Sequence, residues 1–243
     1  VIKKSFVIYG ERNSGTNYLE TLLTGQSYHL FCPQPAFMHI PVLNTSYFDD
    51  YKIPTEKHTV RKNNFGAKHF FGFYDENIKI ESDVIFIGIV RNPYDWIVAL
   101  SRSLHHVPPE NHDIISFLTN EWYSIDHQKK SKTYGEEKMR DRDFETGLRY
   151  ENIFKMRSKK LHYLYNTMPN IAKNYELIKY EDFCNDPWSI VTEWSNKYHI
   201  PMKMPIMEPI EKKPYHIEPE IKQIIDKGID WEIENKLGYF IKD

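Results

Sequence analysis

A chain of 243 residues is long enough to bury a sizeable core, and a single domain spanning residues 1–243 is expected. Hydrophobic residues make up 40% and charged residues 27%, the composition of a soluble globular protein, and no apolar run reaches the length of a membrane helix. The net charge is −2, so a cationic ligand patch must be local, which argues against a general nucleic-acid binder.

In chain order, Ser5 to Tyr9 reads as a short buried strand bounded by Gly10, and Thr16 to Leu23 as a helix with Leu19, Leu22 and Leu23 on one face. Gln26 to Thr59 carries four prolines and reads mostly as loop. Phe65 to Phe73 is expected to hold a second strand. Val84 to Val90, VIFIGIV, is apolar throughout, as in a central parallel strand covered on both faces. Helices are expected over Tyr94 to Leu104, Asp113 to Ile125 and Ile153 to Tyr165. Residues 127–147 are crowded with charge and read as a solvated insertion, with a substrate lid as the other reading. Tyr175 to Lys179 reads as a strand and Pro187 to Tyr198 as a helix. A proline-rich connector over 201–219 precedes a helical pattern over 220–237.

Strands alternating with helices predict an α/β fold, a three-layer sandwich around a mainly parallel sheet. Ligands in such sheets bind beyond the carboxyl ends of the strands. The turns after Tyr9, Val90 and Lys179 are therefore expected to lie together. Cys32 and Cys184 lack metal-type spacing, so neither a disulfide framework nor a zinc module is expected; whether they pair in space stays open. Asn44-Thr45-Ser46 is a glycosylation sequon of a kind that also arises by chance. No secretory leader is visible and a cytoplasmic location is expected, with an upstream targeting or anchor segment left open because the chain starts at Val1.

Gly10 and Gly15 have the spacing of a phosphate loop at a strand–helix junction. The Lys and Ser/Thr that complete a nucleoside-triphosphate loop are replaced by Thr16 and Asn17. The backbone N–H cradle and helix dipole survive this change, because they depend on geometry. The lysine that reaches the terminal phosphates does not. Such a loop suits a 5′-phosphate better than a triphosphate with magnesium, and Arg12 supplies positive charge. The plain alternative is a glycine-bearing turn that binds no phosphate. Arg91-Asn92-Pro93 follows the central strand, with Pro93 suited to a first helical turn and Arg91 poised for a second phosphate. Standing alone, Arg91 reads as a structural surface arginine.

Together these segments resemble the sulfotransferase superfamily, which uses 3′-phosphoadenosine 5′-phosphosulfate (PAPS) as donor and releases PAP. Arg12-Asn13-Ser14-Gly15-Thr16-Asn17 is similar to the family's phosphosulfate loop, and Arg91-Asn92-Pro93-Tyr94-Asp95 to its 3′-phosphate motif. Tyr180-Glu181-Asp182 and the closing Leu237-Gly238-Tyr239 also fit, so the resemblance runs from about residue 5 to 239. It implies a 5′-phosphosulfate held by Arg12 to Asn17, a 3′-phosphate on Arg91 and a serine, and Tyr180 beside the adenine. The sequence departs from the pattern in three places. Asn13 stands where relatives carry a basic residue. Ala99 stands where they carry the serine, leaving Ser101, the preferred choice, or Ser103. Lys212 and Lys213 are loose substitutes for a late basic stretch.

Sulfuryl transfer needs an acceptor oxygen in line, a group for its proton and positive charge on the leaving phosphate. Some relatives use a histidine near a lysine, which implies His69 as base with Lys68 as charge partner; Glu11 is the alternative base. With eleven histidines in the chain, chance placement of His69 is real, and His105-His106 reads as a surface pair rather than a metal site. No metal is expected. The acceptor is expected to be a carbohydrate or other hydroxylated metabolite. Competing readings are a small-molecule kinase, which would need magnesium and the missing lysine, and a non-catalytic PAP- or nucleotide-binding module. Oligomeric state is left open.

Overall fold

The computed structural model describes residues 4–25, 36–38, 40–43, 65–130, 132–138, 141–203 and 215–242. Strand β1 (Ser5–Gly10) leads into helix α1 (Thr16–Thr24). After α2 (Asp75–Ile80) come β2 (Val84–Val90) and α3 (Pro93–Ser101). Helix α4 (Ile114–Thr119), a small hairpin of β3 (Ser124–Ile125) and β4 (Glu137–Lys138), α5 (Ile153–His162), a π-helical turn (Tyr163–Thr167) and α6 (Met168–Ile171) precede β5 (Tyr175–Lys179). The chain closes with α7 (Tyr180–Asn185), α8 (Pro187–Tyr198), α9 (Pro219–Gly228) and α10 (Trp231–Lys236).

Helices and strands are mixed around a small parallel sheet of order β1-β2-β5. Every residue of β2 is buried, as its unbroken apolar run requires. Its alternate residues enter different cores, because strand side chains alternate in direction. Ile85, Ile87 and Ile89 pack with Phe6, Leu19, Leu22, Phe183 and Trp194. Val84, Phe86 and Val90 pack with Tyr9, Leu161, Leu164, Met168 and Ile233. Each fully buried side chain of this kind contributes roughly 1.5–3 kcal/mol. The register pairs Gly10 with Ile89 and Val90 with Lys179, so the three carboxyl ends lie at one edge of the sheet. A third core, with Trp96, Leu100, Phe117, Trp122 and Phe154, binds α3, α4 and α5 together beside that edge.

Phe65 to Phe73 is a turn rather than a strand. Ala67 and Phe70 exchange backbone hydrogen bonds of 3.0 and 3.2 Å, and left-handed Gly66 and Gly72 bracket the bend. The turn delivers the Lys68 carbonyl to the Gly10 N–H at 2.9 Å, a tertiary contact that aromatic content does not announce. The helix expected over Asp113 to Ile125 is only α4. Asp113 caps its start by accepting from the Ser116 N–H at 2.9 Å, and Asn120 leaves it in an extended conformation. Trp122 then pairs with Tyr150 instead of continuing the helix. Within 127–147, Asp126 organises a tight turn by accepting from Thr133 Oγ1 at 2.7 Å and the Gln128 N–H at 3.0 Å, while Asp141 is buried. Most of the loop read over Gln26 to Thr59, with Cys32 and the Asn44 sequon, lies outside the described residues, as do Lys212 and Lys213. Among the described residues no helix is long and apolar enough to cross a membrane.

Candidate functional site

The turn after β1 is shaped by two left-handed residues, Asn13 at φ 59° and Gly15 at φ 98°. Ser14 tightens it, its N–H and hydroxyl donating to the Glu11 carbonyl at 3.2 and 2.7 Å. Glycine is required at 15: a Cβ there would lie 2.3 Å from the Tyr180 ring, in a backbone region that L side chains avoid. Gly15 is the N-cap of α1 and has no side chain to cap that end, and the first turn of the helix holds no acidic residue. The first N–H groups of a helix lack intrahelical acceptors, so this terminus is a donor surface with partial positive charge.

The turn after β2 is closed upon itself. Asn92 Oδ1 caps α3, accepting from the Tyr94 and Asp95 N–H groups at 3.2 and 3.4 Å. The Asn92 N–H donates to Glu181 at 2.8 Å, and the other oxygen of Glu181 accepts from the Tyr239 hydroxyl at 2.8 Å. Arg91 reaches back across the sheet edge, with Nη1 donating to the Asn13 carbonyl at 2.8 Å and its guanidinium 4.5 Å above the Tyr180 ring. Its Nε is buried and has no hydrogen-bond partner among the described residues. Four segments singled out in the sequence, around 12–17, 91–95, 180–182 and 237–239, thus meet through direct contacts.

The remaining charges divide into paired and open. Arg12 Nε contacts Asp141 at 3.0 Å, and Lys160 Nζ contacts the other oxygen of Asp141 at 2.9 Å. Burial would raise the Asp141 pKa, but Lys160 and Arg12 hold it well below the usual carboxylate range. Two cations sharing one carboxylate leave a net positive charge. Lys68 is fully buried, with Nζ 2.6 Å from Asn17 Oδ1 and 2.5 Å from Glu20, so its charge is matched by a carboxylate. Glu11 is buried against Arg157 at 2.7 Å; burial lifts its pKa to about 7, despite Arg157 and Lys160, and its Oε1 has no partner among the described residues. His69 Nδ1 lies 2.8 Å from the Gly10 carbonyl. A carbonyl only accepts, so Nδ1 carries the proton and Nε2 keeps its lone pair. Burial, with Arg12 and Lys68 adding to it, lowers the His69 pKa to about 3, so the ring is neutral.

A cavity of about 480 Å³ opens at this edge. From the first turn it is lined by Arg12, Asn13, Gly15, Thr16 and Asn17, and from elsewhere by His69, Arg91 and Tyr180. Glu11, Ser14, Lys68 and Ser101 do not line it, and the Ser101 hydroxyl donates to the Val98 carbonyl at 3.2 Å. Ser103 does line it. So does His106, whose Nδ1 is 2.9 Å from Nδ1 of His127, another lining residue. Trp122 also lines the space, and its buried indole N–H has no partner among the described residues. Among the described residues no Asp or Glu lines the cavity.

Sequence reasoning missed Asp141, Lys160 and Arg157, the charges that set this electrostatic pattern. A signal for two of them was present. Ile153, Arg157, Lys160 and Leu161 fall on the buried face of α5, so two cations occupy the apolar stripe of an amphipathic helix. Cations placed there must find buried partners. No family model matches the chain, and no curated protein matches it.

Proposed function

We propose that the chain is a PAPS-dependent sulfotransferase, built as a three-layer α/β sandwich whose first strand–turn–helix binds phosphate. The observation that carries this reading is the start of α1, whose N-cap Gly15 has no side chain to cap it, opening into a cavity lined, among the described residues, by two arginines and no carboxylate. Thr16 stands where a triphosphate loop needs lysine, and an anion held there rests on backbone N–H groups and the helix dipole.

The donor supplies the sulfuryl group and leaves as PAP. Backbone N–H groups of the first turn and of α1 bind the 5′-phosphosulfate. Arg91 and Ser103, the serine that lines the cavity, take the 3′-phosphate, and Tyr180 borders the adenine. The acceptor hydroxyl oxygen attacks sulfur while the bond from sulfur to the bridging oxygen breaks. His69 Nε2 takes the hydroxyl proton, because Nδ1 is committed to the Gly10 carbonyl, and the bound phosphosulfate anion offsets the Arg12 and Lys68 charges that, with burial, hold the free ring neutral. Arg12 stabilises the charge that develops on the bridging oxygen. It is favoured over Lys68, which Glu20 neutralises away from the cavity, and His69 is favoured over Glu11, which does not line it. The acceptor, a carbohydrate or other hydroxylated metabolite, lies against Trp122, His106 and His127, the aromatic and imidazole side chains in the lining.

Thermal unfolding with PAP, and separately with ATP plus magnesium, tests the reading. A ligand at about a hundred times its dissociation constant adds roughly 2.7 kcal/mol. Stabilisation by PAP, undiminished by EDTA, is expected. Stabilisation by ATP with magnesium alone would return the site to the kinase class, and PAP binding without a sulfated product from a broad acceptor panel would leave a binding module.

A further inference from the structure

Arg157 lies outside the cavity and is 1% exposed, yet its guanidinium makes four hydrogen bonds to three separate segments. Nε and Nη2 grip the two oxygens of Glu234 at 2.5 and 2.9 Å. Nη1 donates to Glu11 at 2.7 Å, at the head of the first turn. Nη2 also donates to the Arg91 carbonyl at 2.7 Å, at the head of the second turn. The guanidinium sits 4.7 Å from the ring of Trp96, whose indole N–H donates to the Arg12 carbonyl at 2.8 Å.

We propose that Arg157 is a positioning residue that sets the separation of the two turns, so that Arg12 and Arg91 converge on one nucleotide anion. This rests on the proposed function for the identity of that anion. A buried ion cluster is a poor way to gain stability, since apolar groups of similar volume do as well or better. What the planar guanidinium adds is direction: its donors leave in fixed angles, and here they hold three acceptors on the first turn, the second turn and α10. The arginine side chains that face the cavity hang on backbone whose carbonyls are held by Arg157 directly, at 91, and through Trp96, at 12. A lysine would keep the charge and lose the fork.

The test compares Arg157→Lys with Glu234→Gln, reading PAP affinity by calorimetry and stability by thermal unfolding. Arg157→Lys is expected to raise the PAP dissociation constant at least tenfold with its charge intact. Glu234→Gln, which spares both turn contacts, is expected to lower the melting temperature while weakening PAP by less than about threefold. Wild-type affinity in Arg157→Lys, or equal weakening in both variants, would overturn the proposal. Should Arg157→Lys fail to fold, the triple variant Glu11→Leu, Arg157→Met, Glu234→Leu replaces the cluster with apolar volume; it is expected to be stable and to lose PAP, and wild-type affinity in it would be fatal to the idea. If the wild-type chain does not bind PAP, the functional reading fails by itself. Positioning is then read by amide exchange, which Arg157→Lys should speed at 11–17 and 91–92 but not in β5, and unchanged exchange at both turns would overturn it.

Discussion

The two strand–turn–helix units at the sheet edge have the same topology and opposite hydrogen-bond economies. After β2, the turn consumes its own polar groups: Asn92 caps α3, Glu181 takes the Asn92 N–H and Arg157 takes the Arg91 carbonyl. After β1, the turn bends through left-handed Asn13 and Gly15, and α1 begins at Gly15, which has no side chain to cap it. A helix start left open beside a cavity offers its donors to an anion, whereas a capped one offers only the side chains around it. The charged group that the second unit contributes is the Arg91 guanidinium, which crosses to the first. The pair shows how adjacent copies of one motif divide labour, one as cradle and one as brace.

The sharpest way to break this comparison is Gly15→Ala. The new Cβ falls 2.3 Å from the Tyr180 ring at a positive φ, so turn and ring must both move. PAP-induced stabilisation is expected to vanish in thermal unfolding, and a variant with the wild-type shift would refute the cradle. Next is Arg91→Ala. A charge-assisted hydrogen bond is worth about 1.5–3 kcal/mol, so titration calorimetry should show PAP weakened by roughly ten- to a hundredfold in a folded protein. Unchanged affinity would leave Arg91 as a brace only.

A smaller effect separates two buried titratable groups, Glu11 in the first turn and His69, which packs against it through the Gly10 carbonyl. His69 is lowered from 6.5 to about 3, so its contribution to stability is complete above pH 6.5 and is lost as pH falls towards 3. Glu11 is raised from 4.5 to about 7, so its contribution is complete below pH 4.5 and is lost as pH rises to 7. Between pH 4.5 and 6.5 the two oppose, each by at most about 1.4 kcal/mol per pH unit. Urea unfolding should therefore show the wild-type advantage over His69→Gln growing with pH across that interval, and the advantage over Glu11→Gln shrinking. Slopes of the same sign would contradict one assignment. The smallest change expected is in Asn92→Ala, which removes the cap of α3 at a cost of about 1 kcal/mol. PAP affinity should stay within threefold, since the second turn presents no backbone donor to the ligand; a larger loss would erase the distinction between the turns.

Local pattern carried much of the architecture. Seven consecutive apolar residues in β2 admit little but a strand buried on both faces, and the leucines of α1 fall on one helical face. The glycine spacing and the arginine after β2 marked both turns, because each follows directly from its own strand. Local pattern failed where a distant partner decided the conformation. The aromatic run at 65–73 became a turn because Gly10 needed a carbonyl from Lys68, and the helix after Asp113 stopped because Trp122 was claimed by Tyr150.

By itself the sequence determined the parallel α/β character of this protein and the identity of the two turns, since hydrophobic period and glycine placement are properties of neighbours along the chain. Only the tertiary structure decided which charges are open to a ligand. Lys68 is neutralised by Glu20, and Arg12 shares Asp141 with Lys160. Arg157 ties the two turns to α10 across separations of 66, 77 and 146 residues. The physical reason is that the energy of a buried charge depends on what stands within a few ångströms in space, and sequence distance carries almost none of that information.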